Sequence, residues 1–400
     1  MNNIQETYYN KKIDTANILN IEDAAKLIDG RKVAVVTGVT GQDGSHMADF
    51  LLKNTDLLIF GGVRRLSVYN HTNIRHISSP RFHLINFDLT DSHAISRTIE
   101  KLKPDYFINF AAQSFVASSW DFARQTWQTN STSVLDILEA IRLYKPECRS
   151  YFAGSSEEFG NVLYTPQDEN HPLRPRSPYG ASKAAARQLV KVYRDSYNLY
   201  AVQGFLFNHE GIRRGEEFVT RKITKKVASI YFNLKNNTTF QPLELGNIDA
   251  KRDWSDAEDF VECVWRMLNQ DIYNPNYSGE PQEYVFSSNE THSVKEFVEK
   301  AFLSANIIGE WINIGENNAP ENAQFVTKIN GNQIILAVIN PKFYRPAEVD
   351  VLWGDSNKAR TELGWEPKSS FQDLVDKMVK NDIKLIENNL VVDKCKKCAI

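Results

Sequence analysis

The chain has 400 residues, 42% hydrophobic and 24% charged, with a formal net charge of -3. That composition describes an ordinary folded protein, long enough for one large core or two packed lobes. It offers no basic footprint for nucleic acid, no apolar run near the ~18 residues that cross a bilayer, and no secretion signal at its start, so a cytoplasmic location is expected. Four cysteines are too few for a disulfide framework in a chain of this size. Cys148 and Cys263 are expected to pack in helical surroundings. Cys395 and Cys398 form Cys-Lys-Lys-Cys, half of a zinc site without its second half, and are read as part of a polar tail, 391–400. No metal site is expected.

Residues 1–30 are polar and weakly patterned, and are expected as an extension outside the core fold. Order begins at Lys32-Val-Ala-Val-Val-Thr, a short apolar run of the buried parallel-strand kind. Gly38-Val-Thr-Gly41-Gln-Asp-Gly44 follows, and then a helix over Ser45–Lys53. In such a strand, turn and helix, the glycines let backbone approach a pyrophosphate, and the helix start favours negative charge. A second strand, Leu57–Val63, ends in Arg64 and Arg65, where an acidic residue would mark NAD; two arginines suit a 2′-phosphate, so NADP is preferred.

A third strand, Phe82–Phe87, ends in Asp88 and Leu89, placed to meet an adenine. A helix is expected over Asp91–Leu102, a strand over Tyr106–Phe110, and then the small residues Ala111 and Ala112 before Gln113. A helix over Trp127–Tyr144 and strands over Tyr151–Gly154 and Ala201–Phe207 continue the alternation. Together these predict an α/β, Rossmann-type doubly wound parallel sheet over 31–207, with ligands gathered at the carboxyl ends of its strands.

The stretch from Gly154 to Lys183 carries the chemistry. Ser155, Ser156 and Glu157 follow a strand, and Ser-Pro-Tyr-Gly-Ala-Ser-Lys places Tyr179 and Lys183 four apart on one helix face. An ammonium beside a phenol favours the phenolate, and such a tyrosine can take a proton from a sugar hydroxyl near neutral pH. The same spacing recurs at Tyr8/Lys12 and Tyr231/Lys235, but only the middle pair follows a strand ending in small hydroxyl residues.

From Asn208 the chain changes character. Charged segments at 208–222, 245–254 and 343–350 suit diphosphate oxygens. With helices over Asp256–Leu268, Val294–Leu303, Asn357–Leu363 and Phe371–Ile386, residues 208–390 are expected to form mainly a smaller C-terminal α/β substrate-binding lobe, with some segments returning to the first domain.

Five motifs carry a resemblance. Thr-Gly-Val-Thr-Gly-Gln-Asp-Gly-Ser, Arg-Ser-Pro-Tyr-Gly-Ala-Ser-Lys, Asn-His-Glu with Phe-Val-Thr-Arg-Lys, Gly-Asn-Ile-Asp-Ala-Lys-Arg-Asp-Trp and Tyr-Arg-Pro-Ala-Glu-Val-Asp occur in the order that resembles the GDP-mannose 4,6-dehydratases, of the extended short-chain dehydrogenase/reductase superfamily. The resemblance implies a lyase that makes GDP-4-keto-6-deoxymannose by moving hydride from C4 to C6 through bound NADP. It implies Ser155, Glu157, Tyr179 and Lys183 as catalytic. It places Gly38, Thr40, Gly41, Gln42, Asp43, Gly44, Arg64, Asp88, Leu89, Ala111, Ala112, Gln113, His209 and Arg214 around the cofactor, with Tyr179 and Lys183. It places Ser114, Asn208, Val219, Lys222, Arg252, Arg345 and Glu348 around a GDP-sugar, with Glu157. It also implies a homo-oligomer, tetramer or dimer, in which the segment Arg64–Arg75 reaches a neighbouring subunit.

Two departures stand out. Glu158 follows Glu157 where the family has an apolar residue, and its side chain is expected to face solvent. Gly211-Ile212 stands where the family has Ser-Pro, which keeps open the same chemistry on another GDP-sugar, such as a GDP-manno-heptose, or an epimerase. A non-catalytic nucleotide-binding protein is a third reading, but it would need no tyrosine, lysine and acid together.

Overall fold

The computed structural model describes residues 18–66, 70–314, 319–344 and 351–398, with side chains through residue 388. The chain divides into two units. The first runs to Phe207 and takes in Ala257–Ser287 and Gly354–Glu366; the second holds Asn208–Asp256, Ser288–Trp353 and the chain from Pro367.

The first unit is built on an eight-stranded, wholly parallel sheet. Its order is Ile18–Leu19, Phe82–Asn86, Leu58–Val63, Val33–Thr37, Tyr106–Asn109, Arg149–Ala153, Ala201–Leu206, Val285–Phe286. The chain winds outward from Val33–Thr37 in one direction, then returns and winds outward from Tyr106–Asn109 in the other. Those two adjacent strands make the switch point at which such sheets bind ligands.

Alternating side chains along Val33–Thr37 serve the two faces of the sheet. Ala34 and Val36 enter a core with Met47 and Leu51 of the helix Gln42–Asn54 and Phe260 and Val264 of the helix Ala257–Leu268. Val33 and Val35 enter a second core with Ile95 and Ile99 of the helix Ser92–Leu102, Ile137 and Ile141 of the helix Ser133–Tyr144, and Val190 of the helix Pro178–Tyr197.

Several expectations change. In the segment read as an extension, Ile18–Leu19 pairs with Leu84 and Ile85, and Ala24 of the helix Ile21–Lys26 is fully buried in the second core. The glycine-turn helix starts earlier, at Gln42. The single helix expected over Trp127–Tyr144 is a short helix, Ala123–Trp127, then a π-helical turn, Gln128–Thr132, then Ser133–Tyr144. Cys148 is buried just before a strand rather than on a helix, and Cys263 is buried on one. The helices Ala257–Leu268 and Asn357–Leu363 belong to the first unit. The backbone helix from Phe371 continues to Cys398, through the region read as a polar tail; the side chains of Cys395 and Cys398, and the Tyr8/Lys12 pair, lie outside the described residues.

The second unit packs the helices Val219–Lys235, Val294–Ser304 and Phe371–Cys398 around one core that includes Ile223, Phe297 and Leu374. A four-stranded sheet, ordered Glu310–Ile312, Gln324–Ile329, Asn332–Ile339, Leu243–Leu245, contributes Phe325, Leu336 and Leu243 to the same core. A buried Arg221–Asp382 ion pair of 2.7 Å ties the first and last of these helices.

Candidate active site

The glycine turn is shaped by the absence of side chains. Gly38 has φ +66°, which favours glycine, and a Cβ there would lie 2.8 Å from the Ala111 backbone nitrogen. A Cβ on Gly44 would fall on the Gly38 carbonyl. Gly41 caps the helix without a side-chain hydrogen bond and donates its N–H to the Gly38 carbonyl at 2.9 Å. Thr40 lends its carbonyl to the Asn73 amide at 3.0 Å, so the segment after Arg64 is tied to the turn. Arg64 is exposed at the end of the neighbouring strand, and Ser67–Tyr69 lie outside the described residues. Asp88 is half-buried, its Oδ1 accepting from the Thr90 N–H at 2.9 Å, and Leu89 beside it is buried.

Across the switch point, Thr37 Oγ1 donates to Asn109 Oδ1 at 2.5 Å and accepts from the Ala111 N–H at 3.2 Å. Ala112 and Gln113 are half-buried and Ser114 is exposed. Asn130, in the π-helical turn, holds the backbone of Gln113 on both sides of its Cα. Its Oδ1 accepts from the Gln113 N–H at 2.8 Å, and its Nδ2 donates to the Gln113 carbonyl at 2.9 Å. The same Nδ2 reaches Ser182 Oγ at 3.2 Å, and Ser182 in turn donates to the Tyr179 carbonyl at 2.7 Å. One buried carboxamide thus links the small-residue loop to the tyrosine helix.

That helix, Pro178–Tyr197, opens with Ser177 capping Gly180 at 3.0 Å and with proline in its first turn. Tyr179, Ser182, Lys183, Ala186, Arg187, Val190 and Tyr193 form its buried stripe. A Cβ on Gly180 would lie 2.5 Å from the Glu157 carbonyl, so the first turn of the helix sits directly on the Ser155–Glu157 corner. Lys183 Nζ donates to the Ala153 carbonyl at 2.6 Å and lies 6.0 Å from the centre of the Tyr179 ring. Burial brings its ammonium down to about 8; Arg187 acts in the same direction, while the carboxylates of Glu158 and Asp43 act against it. Ser155 is buried, and its Oγ accepts from the Glu157 N–H at 3.2 Å; the Glu157 side chain is partly exposed.

Glu158 does not face solvent. It is fully buried: its Oε2 lies 2.6 Å from Arg187 Nε, and its Oε1 accepts from the Ser155 N–H at 2.8 Å. The expectation failed because Arg187, one helical turn beyond Lys183, presents a cation to the same buried face.

In the second unit, Asn208 and His209 lie on the strand Asn208–Glu210, paired with Trp254–Asp256. The Asn208 Oδ1 is buried with no hydrogen-bond partner among the described residues. Arg214 pairs with Glu210 at 3.0 Å. Val219 begins a helix whose N-cap, Phe218, supplies no side-chain hydrogen bond. Lys222, its ammonium lowered by burial, stands 3.5 Å from the centre of the Phe343 ring. Arg252 is buried and donates to the Lys251 carbonyl at 2.8 Å. Arg345 and Glu348 lie outside the described residues.

A family model described as GDP-mannose 4,6 dehydratase matches residues 35–378. The chain belongs to that family.

It is 44% identical over 367 residues to the GDP-mannose 4,6 dehydratase of Drosophila melanogaster, an alignment covering 90% of this chain and 88% of that protein. Identity to the Homo sapiens protein of the same name is 40% over 368 residues, covering 90% and 93%. Among solved structures, the fold is similar to the UDP-glucose 4-epimerase of Thermotoga maritima, with TM-score 0.70 at 20% identity, covering 88% and 99% of the two chains. It is also similar to the dTDP-glucose 4,6-dehydratase of Bacillus anthracis, with TM-score 0.67 at 20% identity, covering 88% and 97%.

Within this family site, Asn130 and the Glu158–Arg187 pair were missed from sequence. For Arg187 there was a signal: a cation at helical spacing inside an otherwise buried stripe requires a buried partner. For Asn130 there was none, because a π-helical turn leaves no mark in the residue pattern.

Proposed function

We propose that the chain converts GDP-mannose to GDP-4-keto-6-deoxymannose and water, with NADP as its resident cofactor. The observation that carries the reading is the seating of the first turn of the tyrosine helix on the Glu157 peptide, with Lys183 bonded to the end of the adjacent strand. A phenol, an ammonium and a carboxylate are thereby assigned to one corner, as proton transfer at a sugar requires.

The residues present suit a dinucleotide. The glycine turn packs tightly because Gly38 and Gly44 lack a Cβ, and it begins a helix without a side-chain cap. Gly38, Thr40, Gly41, Gln42, Asp43 and Gly44 would hold the pyrophosphate, Asp88 and Leu89 the adenine, and Ala111, Ala112 and Gln113 the ribose. His209 and Arg214 are assigned to the cofactor by resemblance. Exposed Arg64 would meet a 2′-phosphate, which favours NADP over NAD. When bound, the nicotinamide would carry hydride from C4 of the sugar and give it back at C6.

Tyr179, with Lys183 beside it, takes the C4 hydroxyl proton, and Ser155 hydrogen-bonds that oxygen. Glu157 removes the C5 proton, acidified by the new C4 ketone, and protonates the departing C6 hydroxyl, which leaves as water; the proton taken by Tyr179 goes to C5 when C6 accepts hydride. Ser114, Asn208, Val219, Lys222, Arg252, Arg345 and Glu348 are assigned to the GDP-sugar. The Asn208 oxygen, unpartnered among the described residues, and the start of the Val219 helix, which has no side-chain cap, support that assignment. The active form is proposed as a homo-oligomer, tetramer or dimer, located in the cytoplasm. Among the described residues no helix is long and apolar enough to cross a membrane.

The test is incubation with a panel of nucleotide sugars, without added reductant, read by product mass. GDP-mannose should lose one water. An unchanged mass with GDP-mannose overturns the reading. A second reading, the same reaction on another GDP-sugar, is favoured by the turn at Gly211-Ile212, where Gly211 accepts from the Arg214 N–H at 3.1 Å in place of the family's Ser-Pro. It predicts loss of water from that sugar alone.

A further inference from the structure

We propose that Glu158 is a positioning residue: its buried carboxylate fixes the Ser155 peptide, and with it the placement of Ser155 and Glu157 against the tyrosine helix. The proposal rests on the reading above, in which those two residues act on the sugar.

The carboxylate is completely enclosed, and both of its oxygens are hydrogen-bonded. Its Oε1 accepts from the Ser155 N–H at 2.8 Å and from Gln203 Nε2 at 3.0 Å; its Oε2 lies 2.6 Å from Arg187 Nε. Because Ser155 Oγ accepts from the Glu157 N–H in return, the side chains of Ser155 and Glu158 close a capping box around the short helical turn that carries Glu157. The Gln203 amide also donates to the Lys183 carbonyl at 3.2 Å, so one carboxamide ties the corner to the residue bearing the ammonium.

Arg187 makes three further hydrogen bonds. It donates to Glu283 Oε2 at 2.7 Å and to the carbonyls of Gln203 at 2.9 Å and Gly204 at 3.3 Å. Glu283 is also held by Arg194 at 3.1 Å. Gly154 makes room for the cluster, since a Cβ there would lie 2.8 Å from both Arg187 Nη2 and Glu158 Oε1.

A buried ion pair contributes little net stability compared with apolar groups of the same volume. What this one does that apolar groups would not is accept a hydrogen bond from the proposed catalytic serine's own peptide. Catalytic geometry is sensitive at this scale, where a shift of about 1 Å costs about 10²-fold in rate.

The experiment compares wild type, Glu158→Gln, and the double variant Glu158→Leu with Arg187→Leu, all loaded with NADP. The double variant removes both charges and so avoids an unpaired buried ion. It leaves the Ser155 N–H and the Gln203 and Gly204 carbonyls without these partners, so it should melt below wild type; it should keep its NADP, yet lose about 10²-fold in kcat with KM for GDP-mannose changed by less than about twofold. Glu158→Gln keeps an acceptor for the Ser155 N–H but turns a donor toward Arg187, and should lose about tenfold in kcat. In the same samples, hydrogen exchange at the Ser155 amide should speed up at least about tenfold in the double variant.

Wild-type kcat together with wild-type Ser155 protection in the double variant would reduce the pair to a structural element and overturn the proposal. So would a defect confined to melting temperature. If wild type itself leaves GDP-mannose unchanged, the functional reading fails. The exchange measurement still decides whether Glu158 holds the Ser155 peptide.

Discussion

The turn at Gly38–Gly44 and the corner at Gly154–Glu158 follow parallel strands of one sheet, and they are held in place by opposite means. At the turn, backbone comes close to backbone because side chains are missing. At the corner, a fully buried carboxylate and a nearly buried guanidinium bond to backbone groups and fix their path. The first device ends in a helix start without a side-chain cap, a feature that suits negative charge. The second fixes a short loop that carries the proposed base, Glu157. Sequence displays the first openly as a row of glycines and hides the second in two charged residues far apart in the chain.

The contrast can be tested from both sides. The largest effect is expected at the corner: Glu157→Gln removes the proposed base and should lower kcat by about 10³-fold, while NADP bound to the purified protein stays at the wild-type level. Turnover within a few-fold of wild type would remove Glu157 from the chemistry. At the turn, Gly44→Ala drives a Cβ onto the Gly38 carbonyl. It should destabilise the fold by about 1–3 kcal/mol and strip the bound cofactor, measured by thermal melting and by NADP released on denaturation. Here cofactor is lost before chemistry, the reverse of the corner variant.

Lys183 provides the next step down. Burial brings its ammonium to about 8, so it is charged below that pH and neutral above it. If the charge supports the Tyr179 phenolate, kcat should fall as pH rises through about 8, approaching tenfold per unit. A profile flat to well above that point would separate Lys183 from the proton step. The smallest effect is expected at the exposed Arg64: Arg64→Ala should weaken NADP by about tenfold and leave NAD unchanged, read by competition binding.

Much of the sheet was legible because buried parallel strands are short apolar runs, as in Val33–Thr37 and Ala201–Leu206, and because glycine punctuates the turn. The strand Ile18–Leu19 was not, since two residues carry no periodicity and gain their place from the neighbouring Phe82–Asn86 edge. Val285–Phe286 escaped for the same reason. In the candidate site, helical spacing shows that Tyr179 and Lys183 share one face, and both are buried there. From sequence Glu158 is expected in solvent, because a second carboxylate beside Glu157 has no reason to be buried without Arg187 at the same face. The buried stripe shows that Arg187 needs a partner; which carboxylate meets it depends on how the chain closes.

The central claim is that hydrogen leaving C4 of the sugar reappears at C6 of the same molecule. Incubating the protein with GDP-mannose deuterated at C4, without added reductant, tests this most directly. The account predicts a 4-keto-6-deoxy product that carries the deuterium in its C6 methyl group. Deuterium found in solvent water, or still at C4, would contradict it.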